Sequence, residues 1–217
     1  MGRTAAVIPA WNEAATIGAV VYAALDARLV DEVVVVDNAS TDGTGPVAAA
    51  HGARVIREPV PGKGEALRAG VAAVPDATLL VFLDGDLVGL RPGHVDRLAG
   101  AVASGAVDMA CGSFDRGPVI NRMASLLPVL TGQRALPRSL FERLAPPDVR
   151  GYRVEAALNC LVARAGLVRR DEVLDGLWHR TKEEKLATPA RGHATKVAML
   201  GSAAWGYLRF AVAGSAY

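Results

Sequence analysis

The chain has 217 residues, 51% of them hydrophobic, only two cysteines and a net charge of +2. That length and composition suffice for one full core, so a single α/β domain with a C-terminal extension is expected. Cys111 and Cys160 are too few and too far apart for a disulfide framework or a thiolate metal site, and low aromatic content without an interleaved basic stretch argues against nucleic acid. Charge is uneven: residues 1–115 carry 8 basic and 14 acidic side chains, and residues 116–217 carry 16 and 8. An acidic first half suits a metal site, and a basic second half suits an anionic acceptor or an anionic membrane surface. The first apolar stretch is too short for a signal peptide and reads as a strand, and a reducing cytoplasm is the expected compartment.

Strands are predicted at 4–8, 32–36, 54–57, 78–83 and 107–111. Between the first two, Ile17, Val20, Val21, Ala24 and Leu25 fall on one helical face. Further helices are predicted at 45–51, 64–74 and 92–104. This alternation is the signature of βαβ units and a mostly parallel sheet with helices on both faces. Ligands of such sheets bind beyond the carboxyl ends of the strands. Past Gly112 the pattern is less regular, with an apolar stretch at 126–131, helices at 137–144 and 153–165, a hinge at 186–192 and a last apolar segment at 194–212. That segment is too short between charges to span a bilayer, but suits a membrane interface or a homodimer contact.

Four segments fall on the predicted rim. After the first strand comes Pro9-Ala10-Trp11-Asn12-Glu13, in which Asn12 is positioned to cap the following helix while its amide and Glu13 face the rim. After the second comes Asp37-Asn38-Ala39-Ser40-Thr41-Asp42-Gly43-Thr44, with Asp37 placed to accept hydrogen bonds from a base or ribose. Pro61-Gly62-Lys63-Gly64-Glu65 puts a glycine-flanked lysine at a helix start, where backbone N–H groups and the dipole favour phosphate. Asp84-Gly85-Asp86 follows the apolar run 79–83. Two carboxylates so placed suit Mg²⁺ or Mn²⁺ shared with a substrate's phosphates, with Asp86 as the metal ligand and Asp84 as a ribose or metal-water contact.

In order and spacing these segments resemble the GT-A nucleotide-sugar glycosyltransferases, in particular the large family that includes polyprenyl-phosphate sugar transferases and, more narrowly, the glucosyl-3-phosphoglycerate synthases. The resemblance implies a GT-A, Rossmann-like domain over residues 1–185, with a donor and metal half at 1–115, an acceptor half at 116–185 and a helical tail at 186–217. It implies a UDP- or GDP-sugar donor, with Pro9, Ala10, Asn12 and Glu13 near the nucleoside, Asp37 near the base, Gly62 and Lys63 near the diphosphate, and Asp86 on the metal. Thr131-Gly132-Gln133-Arg134-Ala135-Leu136 is similar to the family's acceptor-side segment, which gives Gly132 a binding role and lets Arg134 pair with an acceptor phosphate. Glu155, in Gly151-Tyr152-Arg153-Val154-Glu155, is the corresponding candidate to position or deprotonate an acceptor hydroxyl, and His179 the candidate to complete the metal shell.

The expected activity is metal-dependent hexosyl transfer to a phosphate-bearing or membrane-lipid acceptor. Phe114-Asp115-Arg116-Gly117-Pro118-Val119 departs from the Gly-Arg-Val-Thr-type stretch of the phosphoglycerate-using enzymes, which favours a polyprenyl phosphate or other lipid at the inner face of the membrane over phosphoglycerate. A glucosyl-3-phosphoglycerate synthase-like enzyme and a non-catalytic nucleotide-sugar-binding module are the alternatives. No G-x-G-x-x-G follows the first strand, which disfavours a dinucleotide dehydrogenase.

Overall fold

The computed structural model describes residues 2–115, 117, 131–151 and 153–179. Its first half is built as the hydrophobic periodicity requires: β1 (Arg3–Ala10), α1 (Ile17–Leu25), β2 (Glu32–Asp37), α2 (Thr44–Ala50), β3 (Arg54–Arg57), α3 (Lys63–Ala73) and β4 (Ala77–Phe82). There follow β5 (Leu87–Val88), α4 (Pro92–Ala103), β6 (Met109–Phe114), β7 (Arg134–Pro137), α5 (Arg138–Glu142), a 3-10 turn at Pro146–Val149, α6 (Arg153–Arg164), β8 (Arg169–Leu174) and β9 (Trp178–His179). Seven strands form one sheet in the order β3-β2-β1-β4-β7-β6-β8, and β5 and β9 pair separately. The β1–β2, β1–β4, β2–β3 and β6–β8 pairs are parallel, and β7 runs antiparallel to both of its neighbours.

Alternate residues of the central strands feed two cores, as the period of two along a strand dictates. Ala6 and Ile8 of β1 and Val33 and Val35 of β2 face α1, α2 and α4. Ala5 and Val7, with Val34 and Val36, face α3, α5 and α6. Helix α3 lies close on the sheet because Gly70 has no side chain: a Cβ there would fall 2.3 Å from Val7 Cγ1 and 2.9 Å from Val36 Cγ2.

The mostly parallel sheet with helices on both faces is as expected; β5, β8 and β9 are strands that the sequence pattern did not reveal, and three further differences stand out. β6 begins two residues later than predicted and runs on to Phe114. The helix predicted over 137–144 is the single short α5, preceded by β7, which the sequence pattern did not reveal. Helix α1 starts at Ile17, not directly after Asn12, so Asn12 does not cap it. No helix among the described residues is long and apolar enough to cross a membrane. Most of the 126–131 stretch, the 186–192 hinge and the 194–212 segment lie outside the described residues.

Candidate active site

The carboxyl ends of β1, β2 and β4 bring the predicted loops together. Pro9 and Ala10 close β1 in register with Val36 and Asp37 of β2. The next residue but one, Asn12, takes a left-handed conformation (φ 55°), which its short polar side chain tolerates. Its N–H donates to Ser40 Oγ at 3.0 Å, and its Oδ1 accepts from the Thr41 N–H at 2.8 Å. Glu13 N–H donates to Thr44 Oγ1 at 2.8 Å, and Ala14 N–H to Asp42 Oδ2 at 3.0 Å. Burial opposes ionisation of Asp42, but the hydrogen bonds from Thr44 and Ala14 outweigh it and hold the carboxyl below the usual carboxylate range. The first two rim loops are therefore laced into one unit. Asp37 sits at its centre, with Oδ1 accepting the Ser40 N–H at 3.1 Å.

The Asp84-Gly85-Asp86 turn is pinned against this unit. Thr16 Oγ1 donates to the Gly85 carbonyl at 2.8 Å, and a Cβ on Gly85 would lie 3.2 Å from Ala10 Cβ and 3.3 Å from Glu13 Cγ. Glycine between the two carboxylates is what permits this close approach.

Lys63, first residue of α3, reaches the same place. Its Nζ lies 2.6 Å from Asp84 Oδ1 and 2.5 Å from Glu155 Oε1, and all three side chains are largely buried. Burial alone would lower the lysine pKa, but the two carboxylates overcome that penalty and hold the ammonium well above its ordinary value. Gln133, 1% exposed, donates from Nε2 to the other Asp84 oxygen at 2.8 Å, while its Oε1 is engaged by Thr131 Oγ1. Gly132 lies against the same carboxylate, since a Cβ there would fall 2.2 Å from Asp84 Oδ1. One lysine between two carboxylates thus ties the first 115 residues to the half that follows them. The start of α3 is tied there a second time: Gly64 N–H donates to the Gly151 carbonyl at 2.9 Å, and Gly151 N–H to Glu65 Oε2 at 3.0 Å.

Asp86 is half-buried at the end of this turn, directly before β5. His179 is exposed on β9 and pairs in register with Leu87, so it stands across from the strand that Asp86 directly precedes. The imidazole packs on Phe114, with ring centroids 5.0 Å apart. The turn before β9 is fixed to α4 through Asp175, which meets Arg91 at 3.2 Å, His94 at 3.5 Å and Arg97 at 3.8 Å. Among the described residues no three His, Cys, Asp or Glu side chains group as a metal cage. One carboxylate and one imidazole nevertheless suit Mn²⁺ or Mg²⁺ shared with phosphate oxygens, since such ions take few protein ligands at nucleotide sites.

Two expectations need correction. Arg134 opens β7 opposite Phe82, the last residue of β4, but it is 1% exposed, its Nε donating to the Thr131 carbonyl at 2.8 Å and its Nη1 to Asn159 Oδ1 at 3.0 Å. A guanidinium so enclosed braces β7 against α6 and is not presented to an acceptor phosphate. Glu155 opens α6 as predicted, but its carboxylate is engaged by Lys63 and not held ready for an acceptor hydroxyl. Conversely, Gln133 and Asn38 emerge from the structure alone. Gln133 stood inside a quoted segment, but nothing in its spacing showed that β7 would turn it onto Asp84.

A mostly parallel α/β sheet whose rim loops bring together a carboxylate turn and a lysine is an architecture of the GT-A class of fold. The chain belongs to glycosyl transferase family 2, whose model matches residues 5–156. A glucosyl-3-phosphoglycerate synthase of Mycobacterium tuberculosis is 43% identical over 129 residues, which cover 54% of this chain and 40% of the relative. An uncharacterized glycosyltransferase of the same organism is 41% identical over 101 residues, 46% of this chain and 44% of the relative. These matches span less than half of the curated relatives' length. The crystal structure of the M. tuberculosis glucosyl-3-phosphoglycerate synthase with Mn²⁺, uridine-diphosphate-glucose and phosphoglyceric acid superposes with a TM-score of 0.78 at 31% identity, covering 96% of this chain and 79% of that one.

Proposed function

We propose that this chain is a hexosyltransferase that takes a sugar from a uridine-diphosphate hexose and attaches it to a phosphate-bearing acceptor. The observation that carries this is the convergence of Asp37, Lys63, Asp84 and Asp86 on one rim, on loops that hydrogen-bond one another. In transfer, the bond from the sugar's anomeric carbon to the diphosphate breaks and a bond to an acceptor oxygen forms, with an acceptor proton released if that oxygen is a hydroxyl. Positive charge grows on the sugar and negative charge on the leaving diphosphate.

The residues divide that work. The laced 9–13 and 37–44 loops form a rigid seat for the nucleoside, with Asp37 as the acceptor for base or ribose donors. Lys63 supplies fixed positive charge beside the diphosphate, and charge placed in advance costs no reorganisation when the bond breaks. Asp84, Glu155 and Gln133 hold that ammonium in place, so Glu155 serves through Lys63. Asp86 and His179 would hold a divalent cation, which when bound neutralises charge on the diphosphate as a Lewis acid.

For the acceptor, the relative whose crystal structure contains phosphoglyceric acid supports a small phosphorylated acid. The lipid phosphate expected from the basic second half is the less supported of the two. Transfer assays with radiolabelled uridine-diphosphate glucose, Mn²⁺ and either 3-phosphoglycerate or a polyprenyl phosphate test the assignment. Label is expected in the phosphoglycerate product, and label in neither acceptor nor free glucose would contradict a transferase.

A further inference from the structure

We propose that Asn38 is a positioning residue that couples the nucleoside loop to Lys63; this rests on the reading of Lys63 as the diphosphate contact. Asn38 is 5% exposed, directly follows Asp37, and spends its whole carboxamide on one neighbouring loop. Its Nδ2 donates to the Glu58 carbonyl at 3.1 Å and to the Val60 carbonyl at 2.7 Å, and its Oδ1 accepts the Gly62 N–H at 2.7 Å. Its own N–H donates to the Ala10 carbonyl at 2.8 Å. A single residue therefore gathers the end of β1 through its backbone and the 58–62 loop that delivers Lys63 through its side chain.

The geometry is demanding at the far end. Gly62 has φ 147°, open only to glycine, and a Cβ there would fall 2.0 Å from Glu65 Oε2. The 58–62 loop makes a second bond to the same strand end, Glu58 N–H donating to the Asp37 carbonyl at 3.0 Å; within the loop the Val60 N–H donates to Glu58 Oε1 at 2.8 Å, while Asn38 takes the Val60 carbonyl and the Gly62 N–H. Asparagine is the one residue of this size that offers two donors and an acceptor here. Aspartate has the same shape but no donors, so it would face two carbonyls with an acceptor. Movement of the base-side loop at Asp37 is thereby transmitted to the backbone one residue before Lys63.

Acylation of amines in the free protein, read by mass spectrometry at Lys63 and normalised to Lys182, Lys185 and Lys196, tests the coupling without any ligand. Asn38→Asp should raise the Lys63 rate about tenfold, since losing two buried hydrogen bonds frees the loop that holds it. Asn38→Ala provides the same test should the aspartate variant not fold, and hydrogen exchange at the wild-type Gly62 amide tests it with no substitution. Lys63 protection unchanged in a folded variant, or a Gly62 amide exchanging as fast as an open loop, would overturn the inference. Calorimetric titration with uridine diphosphate and Mn²⁺ separates the two readings: wild type that shows the predicted labelling but binds no nucleotide refutes the proposed function and leaves the coupling standing.

Discussion

Lys63 is where structure and chemistry meet most closely, because one ammonium answers two buried carboxylates. Lys63→Met would leave Asp84 and Glu155 facing each other without a cation, and breaking a buried pair in this way costs about 3 kcal/mol. Urea unfolding of the variant should show that loss, while a stability equal to wild type would mean the ion pairs contribute nothing. The pH dependence has a definite sign. The folded pKa is raised above the ordinary lysine value of 10.5, so the lysine's contribution is fully present below that pH and is lost as pH rises toward the folded value. The difference between wild type and Lys63→Met should thus be flat through neutrality and shrink only in strong alkali. His94 has the opposite sign. The Arg91 N–H donates to its Nδ1 at 3.3 Å, which leaves Nε2 to carry the proton facing Asp175. Burial lowers its pKa, Asp175 works against that, and Arg91 and Arg97 add to it. The unfolded chain therefore binds the proton more readily, and stability should fall as pH drops below the unfolded value of 6.5. His94→Gln should remove that part of the acid-side loss in thermal unfolding at pH 5 against pH 8, and an identical pH response would contradict it.

At the scale of elements, α3 carries the most consequence, since it presents Lys63 at one end and lies on the sheet at Gly70. Gly70→Ala would drive a methyl group into Val7 and Val36, and overpacking of this kind costs about 1–3 kcal/mol. Denaturant titration should show a lower midpoint with an unchanged slope; an unaltered midpoint would mean that the helix can move off the sheet freely. The elements of the first half were legible because their signals are local: alternating apolar runs such as Val33 to Val36, a helical face from Ile17 to Leu25, and loop residues of distinctive type. β5, β7, β8 and β9 were not: β5, β7 and β9 are two or four residues long and have no periodicity to read, β8 is a charged Arg-Arg-Asp-Glu run without apolar alternation, and pairings such as Leu79↔Pro137 and Leu87↔His179 are set by partners distant in sequence. The misplacement of Arg134 follows from this. As a loop residue it would face solvent, whereas in an interior antiparallel strand its side chain must turn into the layer beneath, where Asn159 and the Thr131 carbonyl receive it.

For the molecule as a whole, the rim was legible as a set of residue types but not as a network. Asp37, Lys63, Asp84 and Asp86 could be placed from strand ends, yet many of the bonds that fix their loops come from Ser40, Thr44, Asn38 and Gln133, whose hydroxyls and amides have equally ordinary uses in turns. The network also crosses between the two halves of opposite charge, which the β4–β7 and β6–β8 pairings already join: Lys63 belongs to the acidic half in sequence, and its salt bridge to Glu155 and the Gly64 and Glu65 bonds to Gly151 reach the basic one. If this rim seats an activated sugar, nucleotide binding must depend on the cation and on Asp86 while the fold does not. Isothermal titration of uridine diphosphate into wild type and Asp86→Ala, each with and without Mn²⁺, measures this. One nucleotide should bind wild type only with Mn²⁺, and Asp86→Ala should lose that binding with its unfolding temperature unchanged. Equal affinity in the two proteins, or no binding by wild type at saturating Mn²⁺, would contradict a metal-dependent sugar-nucleotide site.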